Sequence, residues 1–225
     1  QMCIRDSHDT VVIAVLLPGA TARWRWSHVR PCRASDGNAV CAVPATMVAS
    51  GVKHPLFGGA VSLWLPKQFM DASDFRQVPD NQEVLLAGDS DVSVIVEVLQ
   101  QATEGASQGA LDRAARFHFD SLAHDNSELE AHVEYVEAPA GEKAAAPPAT
   151  PAPALVRGAQ RVRKFGKASE EDSVHIWAAV WRIEAKNVDL VLSVNDPATT
   201  GLDQVDAWFR HAAQTLRIED YGLFA

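Results

Sequence analysis

Apolar residues recur at every second position in several stretches of the chain, which is the spacing of a β-strand. Residues 61–65 show it with Val61, Leu63 and Leu65 on one face. In residues 92–99 one set of alternate positions is entirely apolar, and the other set mixes apolar residues with Glu97. We therefore expect 92–99 to be a central strand covered on both faces, with the Glu97 carboxylate paired.

The same patterning predicts the other elements of the chain. Apolar residues spaced three and four apart predict helices over 107–122 and 202–216, with His118 on the packing face of the first. The basic stretch 155–165 is expected to be an exposed edge strand that its charges protect. A sheet with helices on its faces is an α+β fold. The remaining predicted strands are 83–87, 131–137, 174–184 and 188–194.

One polar stretch, residues 71–84 (DASDFRQVPDNQEV), interrupts these apolar runs. It is too polar for a core, and we expect Phe69, Met70 and Phe75 to anchor it. A polar loop on a rigid mount is a common carrier of binding function. The residues that make up this candidate binding site are the carboxylates Asp71, Asp74, Asp80 and Glu83, with Arg76, Asn81 and Gln82 setting the register of a partner.

The net charge of −9 is unevenly distributed, because residues 1–54 carry +3 and residues 55–225 carry −12. An acidic body is poorly suited to nucleic acid, whose phosphates need Lys and Arg, but it suits a basic protein partner. No apolar run reaches the length of a membrane span. We expect a monomer that binds neither nucleic acid nor membrane.

Catalytic and metal chemistry find little support in the sequence. All three cysteines, Cys3, Cys32 and Cys41, precede residue 55 and form neither a disulfide framework nor a zinc pattern, which fits a reducing compartment. Asp80 and Glu83 are spaced so that a hydrolase using them as an acid/base pair remains an alternative. We nevertheless expect a protein without catalytic residues, metal or cofactor.

The chain divides into a short arm and one domain. Residues 1–54 are predicted to be a non-domain arm, disordered or artefactual, because the leading QMCIRDS resembles translated adapter sequence. Residues 55–225 are predicted to form one domain. Residues 138–154 contain five prolines and are expected to be a disordered insertion within it.

Two stretches, PLFGGAVSLWLP and DASDFRQVPDNQEV, together resemble the signature of the Ran guanine-nucleotide release factor (Mog) family. Later segments resemble the same family in the same order: DVSVIVEVL, ARFHFDSL, VDLVLSVNDP and LRIEDYGLFA. The resemblance implies a three-layer α-β-α sandwich around a largely antiparallel sheet, similar to the PsbP fold. It also implies a protein of the nucleus and cytoplasm that binds the GTPase Ran, promotes release of its guanine nucleotide and supports nuclear protein import.

Our hypothesis is that the carboxylates of residues 71–84 dock on a basic surface of Ran near its nucleotide. The shared fold leaves one further alternative, a PsbP-like lumenal protein that binds photosystems. An authentic transit peptide within residues 8–54 would favour that alternative.

Overall fold

The computed structural model describes residues 51–103, 111–125, 130–139, 150–163, 171–197 and 202–224. The arm up to residue 50 and most of the Ala/Pro segment therefore lie outside the described residues. The described residues form two antiparallel sheets and two α-helices, in chain order β1 (Gly51–Leu56), β2 (Val61–Pro66), β3 (Phe69–Asp71), β4 (Gln82–Ala87), β5 (Ser93–Gln100), α1 (Leu111–Asp125), β6 (Glu130–Glu137), β7 (Ala154–Arg163), β8 (Glu171–Ile183), β9 (Val188–Asp196), α2 (Leu202–Thr215) and β10 (Arg217–Ile218).

The large sheet has seven strands in the order β3-β4-β5-β9-β8-β7-β6. The predicted central strand is confirmed, because β5 pairs with β4 on one side and β9 on the other. Val94 and Val96 are fully buried on one face. Glu97 is buried on the other face, where it accepts a hydrogen bond from Gln82 Nε2, so the expected pairing of this carboxylate is also confirmed.

Alternate residues of β8 show how the sheet is covered on both faces. Trp177 and Trp181 belong to a core formed with α2 and the small sheet β1-β2-β10. Ile176 and Val180 point the other way, into a core formed with α1. The fold is therefore α+β, with a largely antiparallel sheet between two helices, as expected. Phe224, near the end of the chain, is buried in the first core.

A buried ionic network ties α1 to the end of the β8–β9 hairpin. The Asp189 carboxylate accepts hydrogen bonds from Arg182 Nε and Nη2, each at 2.9 Å, and from the Ala102 amide. His118 Nε2 lies 2.9 Å from Asp189 Oδ2, which confirms the hydrogen-bonded packing role predicted for this histidine. Burial raises the pKa of Asp189, but the bonds from His118 and Arg182 outweigh it and hold that pKa below its usual value.

A second network joins α2 to the strands at the β6 edge. The Asp206 carboxylate accepts hydrogen bonds from Tyr135 Oη at 2.8 Å and from Trp177 Nε1 at 3.1 Å. Arg210 bonds to Asp206 and also forms a bidentate pair with Glu137. These contacts fix the β6 edge against the helix.

The prediction that the basic strand lies at an exposed edge is wrong. β7 lies between β6 and β8, and the edges of the large sheet are β3 and β6. Arg157 Nε lies 2.8 Å from Glu134 Oε2, and Arg161 Nη2 lies 3.1 Å from Glu130 Oε2. Arg157 and Arg161 thus face carboxylates of β6.

β1 extends the described domain in the N-terminal direction. It begins at Gly51 and pairs with β2 from Gly51↔Pro66 to Leu56↔Val61. The segment 51–54 therefore belongs to the small sheet, although the sequence placed it in the arm.

Candidate partner-binding site

The polar loop leaves the large sheet from its edge strand β3 through a short 3₁₀ turn, Ala72–Asp74. Asp71 caps this turn, because its Oδ1 accepts the Ser73 amide at 2.8 Å. The Ala72 carbonyl accepts the amides of Phe75 and Arg76, each at 3.0 Å. Ala72 itself is fully buried in a small apolar cluster with residues of β4 and β5. The first half of the loop is therefore held rigidly against the sheet.

The second half of the loop is held by a turn that leads into β4. The Pro79 carbonyl accepts the Gln82 amide at 2.9 Å, which leaves Asp80 exposed at the tip. Asn81 is buried, and its carbonyl accepts the Val98 amide at 2.9 Å. Gln82 donates to buried Glu97. The side chains of Asn81 and Gln82 thus face the sheet, and their contact with a partner stays a prediction.

Glu83 connects the loop to the β1–β2 hairpin. Its Oε1 accepts the backbone N–H of Phe57, the first residue of the hairpin turn. Phe57, Gly58 and Gly59 have φ values of 50°, 65° and 96°. A phenylalanine at positive φ is rare and strained, so the Glu83 carboxylate stabilises a turn that the backbone alone disfavours.

Two further titratable groups lie at the junction where Glu83 meets the hairpin. Burial raises the pKa of Glu83, the Phe57 N–H lowers it, and the neighbouring Asp71 carboxylate raises it again. Burial lowers the pKa of His54, while Asp71 opposes that shift. Among the described residues, the buried His54 Nε2 has no hydrogen-bond partner. The junction therefore concentrates two carboxylates beside a half-buried imidazole.

The exposed part of the site contains both charge and apolar surface. Asp71, Asp74 and Asp80 are exposed, and the buried Arg76 Nε has no hydrogen-bond partner within the described ranges. Of the predicted anchors only Phe69 is buried, at 4% exposure. The prediction for Met70 and Phe75 is wrong, because the 3₁₀ turn is fastened by Ala72 and leaves both side chains outside.

The sequence did not indicate the pairing of Glu83 with Phe57. The signal that was available is the glycine pair of PLFGG, which marked a tight turn without showing what would bind to it. His54 was missed because it lies in the segment assigned to the arm.

Other kinds of site are not evident in the described part of the chain. No group of three or more His, Cys, Asp and Glu side chains there is arranged to hold a metal ion. Within the same residues, every helix is too short or too polar to cross a membrane. Asp80 is exposed at a turn whereas Glu83 is tied to Phe57, so the two carboxylates differ in their surroundings.

The described residues thus form an antiparallel sheet between two helices, with an acidic loop held at one edge of that sheet. A family model described as "Ran-interacting Mog1 protein" matches residues 54–197. The chain therefore belongs to the Ran-interacting Mog1 family.

Curated relatives agree with this membership. The chain is 32% identical over 188 residues to the Ran guanine nucleotide release factor of Danio rerio, covering 77% of this chain and 100% of the relative. It is 35% identical over 153 residues to the nuclear import protein mog1 of Schizosaccharomyces pombe, covering 63% of this chain and 75% of the relative.

Solved structures show the same fold. The crystal structure of the Saccharomyces cerevisiae Ran-binding protein Mog1p aligns with a TM-score of 0.59 at 23% identity, covering 78% of this chain and 98% of that one. The solution structure of a cyanobacterial PsbP from Synechocystis aligns with a TM-score of 0.50 at 13% identity, covering 80% and 98%. At these identities the likeness concerns the fold alone, and it confirms the expected Mog-like and PsbP-like architecture.

Proposed function

We propose that this chain binds the GTPase Ran through the acidic edge of its large sheet and promotes release of Ran's guanine nucleotide. The acidic edge comprises Asp71, Asp74, Asp80 and Glu83. The observation that carries the proposal is the rigid mounting of exposed carboxylates at this edge, in a chain whose relatives are named Ran guanine nucleotide release factors. The chain would act in the nucleus and cytoplasm and support nuclear protein import.

Nucleotide release by such a protein needs no covalent step. The chain has only to bind nucleotide-free Ran more tightly than loaded Ran, and linkage then lowers Ran's affinity for nucleotide by the same factor. A carboxylate of the acidic edge would contribute by competing with a phosphate for a lysine, or by disturbing the Mg²⁺ that the phosphates hold. Asp80, exposed at the tip of its turn, is the carboxylate best placed to reach such a group.

The charge of the chain supports a partner with a basic surface. The net charge is −9, and the exposed carboxylates of the acidic edge add a local concentration of negative charge. Complementary charge accelerates the encounter of two proteins and disfavours wrong partners. The half-buried Arg76 lies between these carboxylates in the sequence and would orient an acidic or carbonyl group of the partner.

The test is release of labelled GDP and GTP from purified Ran as the concentration of the full chain is increased. The variant is Asp80→Asn/Glu83→Gln, which removes two charges while the introduced glutamine keeps an oxygen to accept the Phe57 N–H. We expect it to weaken binding and slow release about tenfold or more, the effect of about 1.4 kcal/mol of lost interaction.

The matched control is Asp89→Asn/Asp91→Asn, which removes two exposed charges at the opposite end of β4. We expect this control to release nucleotide like the wild type. A wild-type chain that neither binds Ran nor accelerates release would contradict the function. If both variants lose nucleotide-release activity equally, binding depends on the net charge of the chain and not on the acidic edge.

A further inference from the structure

Two of the three exposed large hydrophobic side chains among the described residues lie next to the acidic edge. Phe75 is 69% exposed and Met70 is 46% exposed, whereas the third, Val52, is 37% exposed on β1. Isolated exposed apolar residues are normal on a protein surface. Phe75 is different because an aromatic ring this exposed sits between Asp74 and Arg76, in the loop that the proposed function uses.

The backbone below Phe75 is fixed before any partner arrives. Its amide donates to the Ala72 carbonyl at 3.0 Å, and Ala72 is fully buried against β4 and β5. Asp71 caps the same turn through the Ser73 amide. When a partner buries an exposed ring on an ordered backbone, the ring loses its own rotamer freedom but no backbone freedom has to be lost. The backbone that carries the ring is thus ordered before a partner binds.

We propose that Phe75 is the apolar anchor of the interface with Ran and inserts into an apolar pocket within Ran's basic surface; this rests on the proposed function. Protein interfaces concentrate their affinity in a few central aromatic residues surrounded by polar and charged groups. Here Asp71, Asp74 and Asp80 form the charged surroundings, and they guide the encounter. Phe75 sets how long the complex lasts.

The size of the effect follows from the exposed area of the ring. A phenylalanine buries roughly 150–250 Å², so at 69% exposure on the order of 100–170 Å² remains for a partner to cover. Truncation of such an anchor weakens binding about 10–100-fold, mostly through faster dissociation. Charge neutralisation at the rim instead changes the association rate and its dependence on salt.

The experiment measures association and dissociation rates of the full chain with nucleotide-free Ran at several salt concentrations. The variants are Phe75→Ala, Phe75→Leu, which retains apolar area, and Val52→Ala as the matched exposed apolar control. We expect Phe75→Ala to weaken binding about 10–100-fold with an unchanged salt dependence. Phe75→Leu should recover most of the affinity, and Val52→Ala should bind like the wild type.

Three results would overturn the proposal, and they are distinguishable from one another. If the wild type binds Ran and Phe75→Ala binds it within twofold, Phe75 is not an anchor while the proposed function stands. If the wild type does not bind Ran at all, both the proposed function and the anchor role of Phe75 are wrong. If Phe75→Ala only abolishes self-association in sedimentation, the exposed ring serves a second copy of this chain.

Discussion

The contact between Glu83 and the Phe57 N–H predicts that two substitutions of one residue will behave differently. Glu83→Ala removes the acceptor that stabilises the positive-φ turn, whereas Glu83→Gln keeps an oxygen in its place. The glutamine also removes a carboxylate whose pKa is raised chiefly by burial. Alanine should therefore destabilise the fold, and glutamine should preserve it or stabilise it at neutral pH.

The magnitude follows from the lost hydrogen bond. A bond to a charged acceptor contributes about 1.5–3 kcal/mol, and the Phe57 N–H is left without its acceptor. For a domain of this size that corresponds to a fall in Tm of roughly 3–12 °C. The exposed control Asp89→Ala, at the far end of β4, should lie within about 0.5 kcal/mol of the wild type.

The pH dependence has a definite sign. Since the folded pKa of Glu83 is raised, the wild type binds its proton more tightly than the unfolded chain, whose value is near 4.5. The wild type therefore gains stability relative to Glu83→Gln as the pH falls through the folded pKa, and the gain is complete below 4.5.

The assay is thermal and urea unfolding of wild type and both variants at neutral pH and down to about pH 4. An alanine variant as stable as the wild type would refute the structural role of the contact. A difference between wild type and Glu83→Gln that stays constant over this pH range would refute the assignment of the raised pKa.

Two further substitutions test the packing around the site. Asp189→Asn should lower the free energy of unfolding by about 3–5 kcal/mol in urea titrations, because it leaves the buried Arg182 guanidinium without its counter-charge. The stabilisation by Asp189 is present above pH 3.8 and is lost as the pH falls through its lowered folded pKa, so the stability of the variant should fall less steeply in acid than that of the wild type. A loss of stability below about 1 kcal/mol at neutral pH would contradict both expectations. Gly158→Ala should lower the free energy of unfolding by about 1–3 kcal/mol, since the new Cβ would lie 2.3 Å from the His132 carbonyl and 2.6 Å from the Phe119 ring. An alanine variant as stable as the wild type in thermal unfolding would show that β6 and α1 can move apart at little energetic cost.

The strand predictions succeeded where the burial of a strand can be inferred from its own residues. β5 reads as a central strand because both of its faces are largely apolar, and that property belongs to its own residues. β7 was misplaced at the sheet edge because its arginines suit either an exposed edge or a neighbour rich in carboxylates. Only the pairing with β6 decides between the two, and that pairing crosses the Ala/Pro segment.

In the site, too, features that depend on neighbouring residues were predicted, and contacts between distant residues were missed. The sequence located the acidic loop, because its charges interrupt apolar runs. It did not show that Glu83 turns towards Phe57, since this contact joins residues 26 positions apart. Nor did it show that Phe75 stays outside, because a ring near Ala72 fits an anchored turn as well as an exposed one until the burial of Ala72 is known.

The strand order has a practical consequence for labelling this protein. The acidic edge lies at β3 and β4, while β6 forms the opposite edge of the seven-stranded sheet. Six strand spacings of about 4.8 Å separate the two edges by roughly 29 Å. The Asp206 and Arg210 contacts also hold β6 against α2. A fluorophore introduced at His132, which is exposed on β6, would therefore lie at the edge of the sheet opposite the acidic loop.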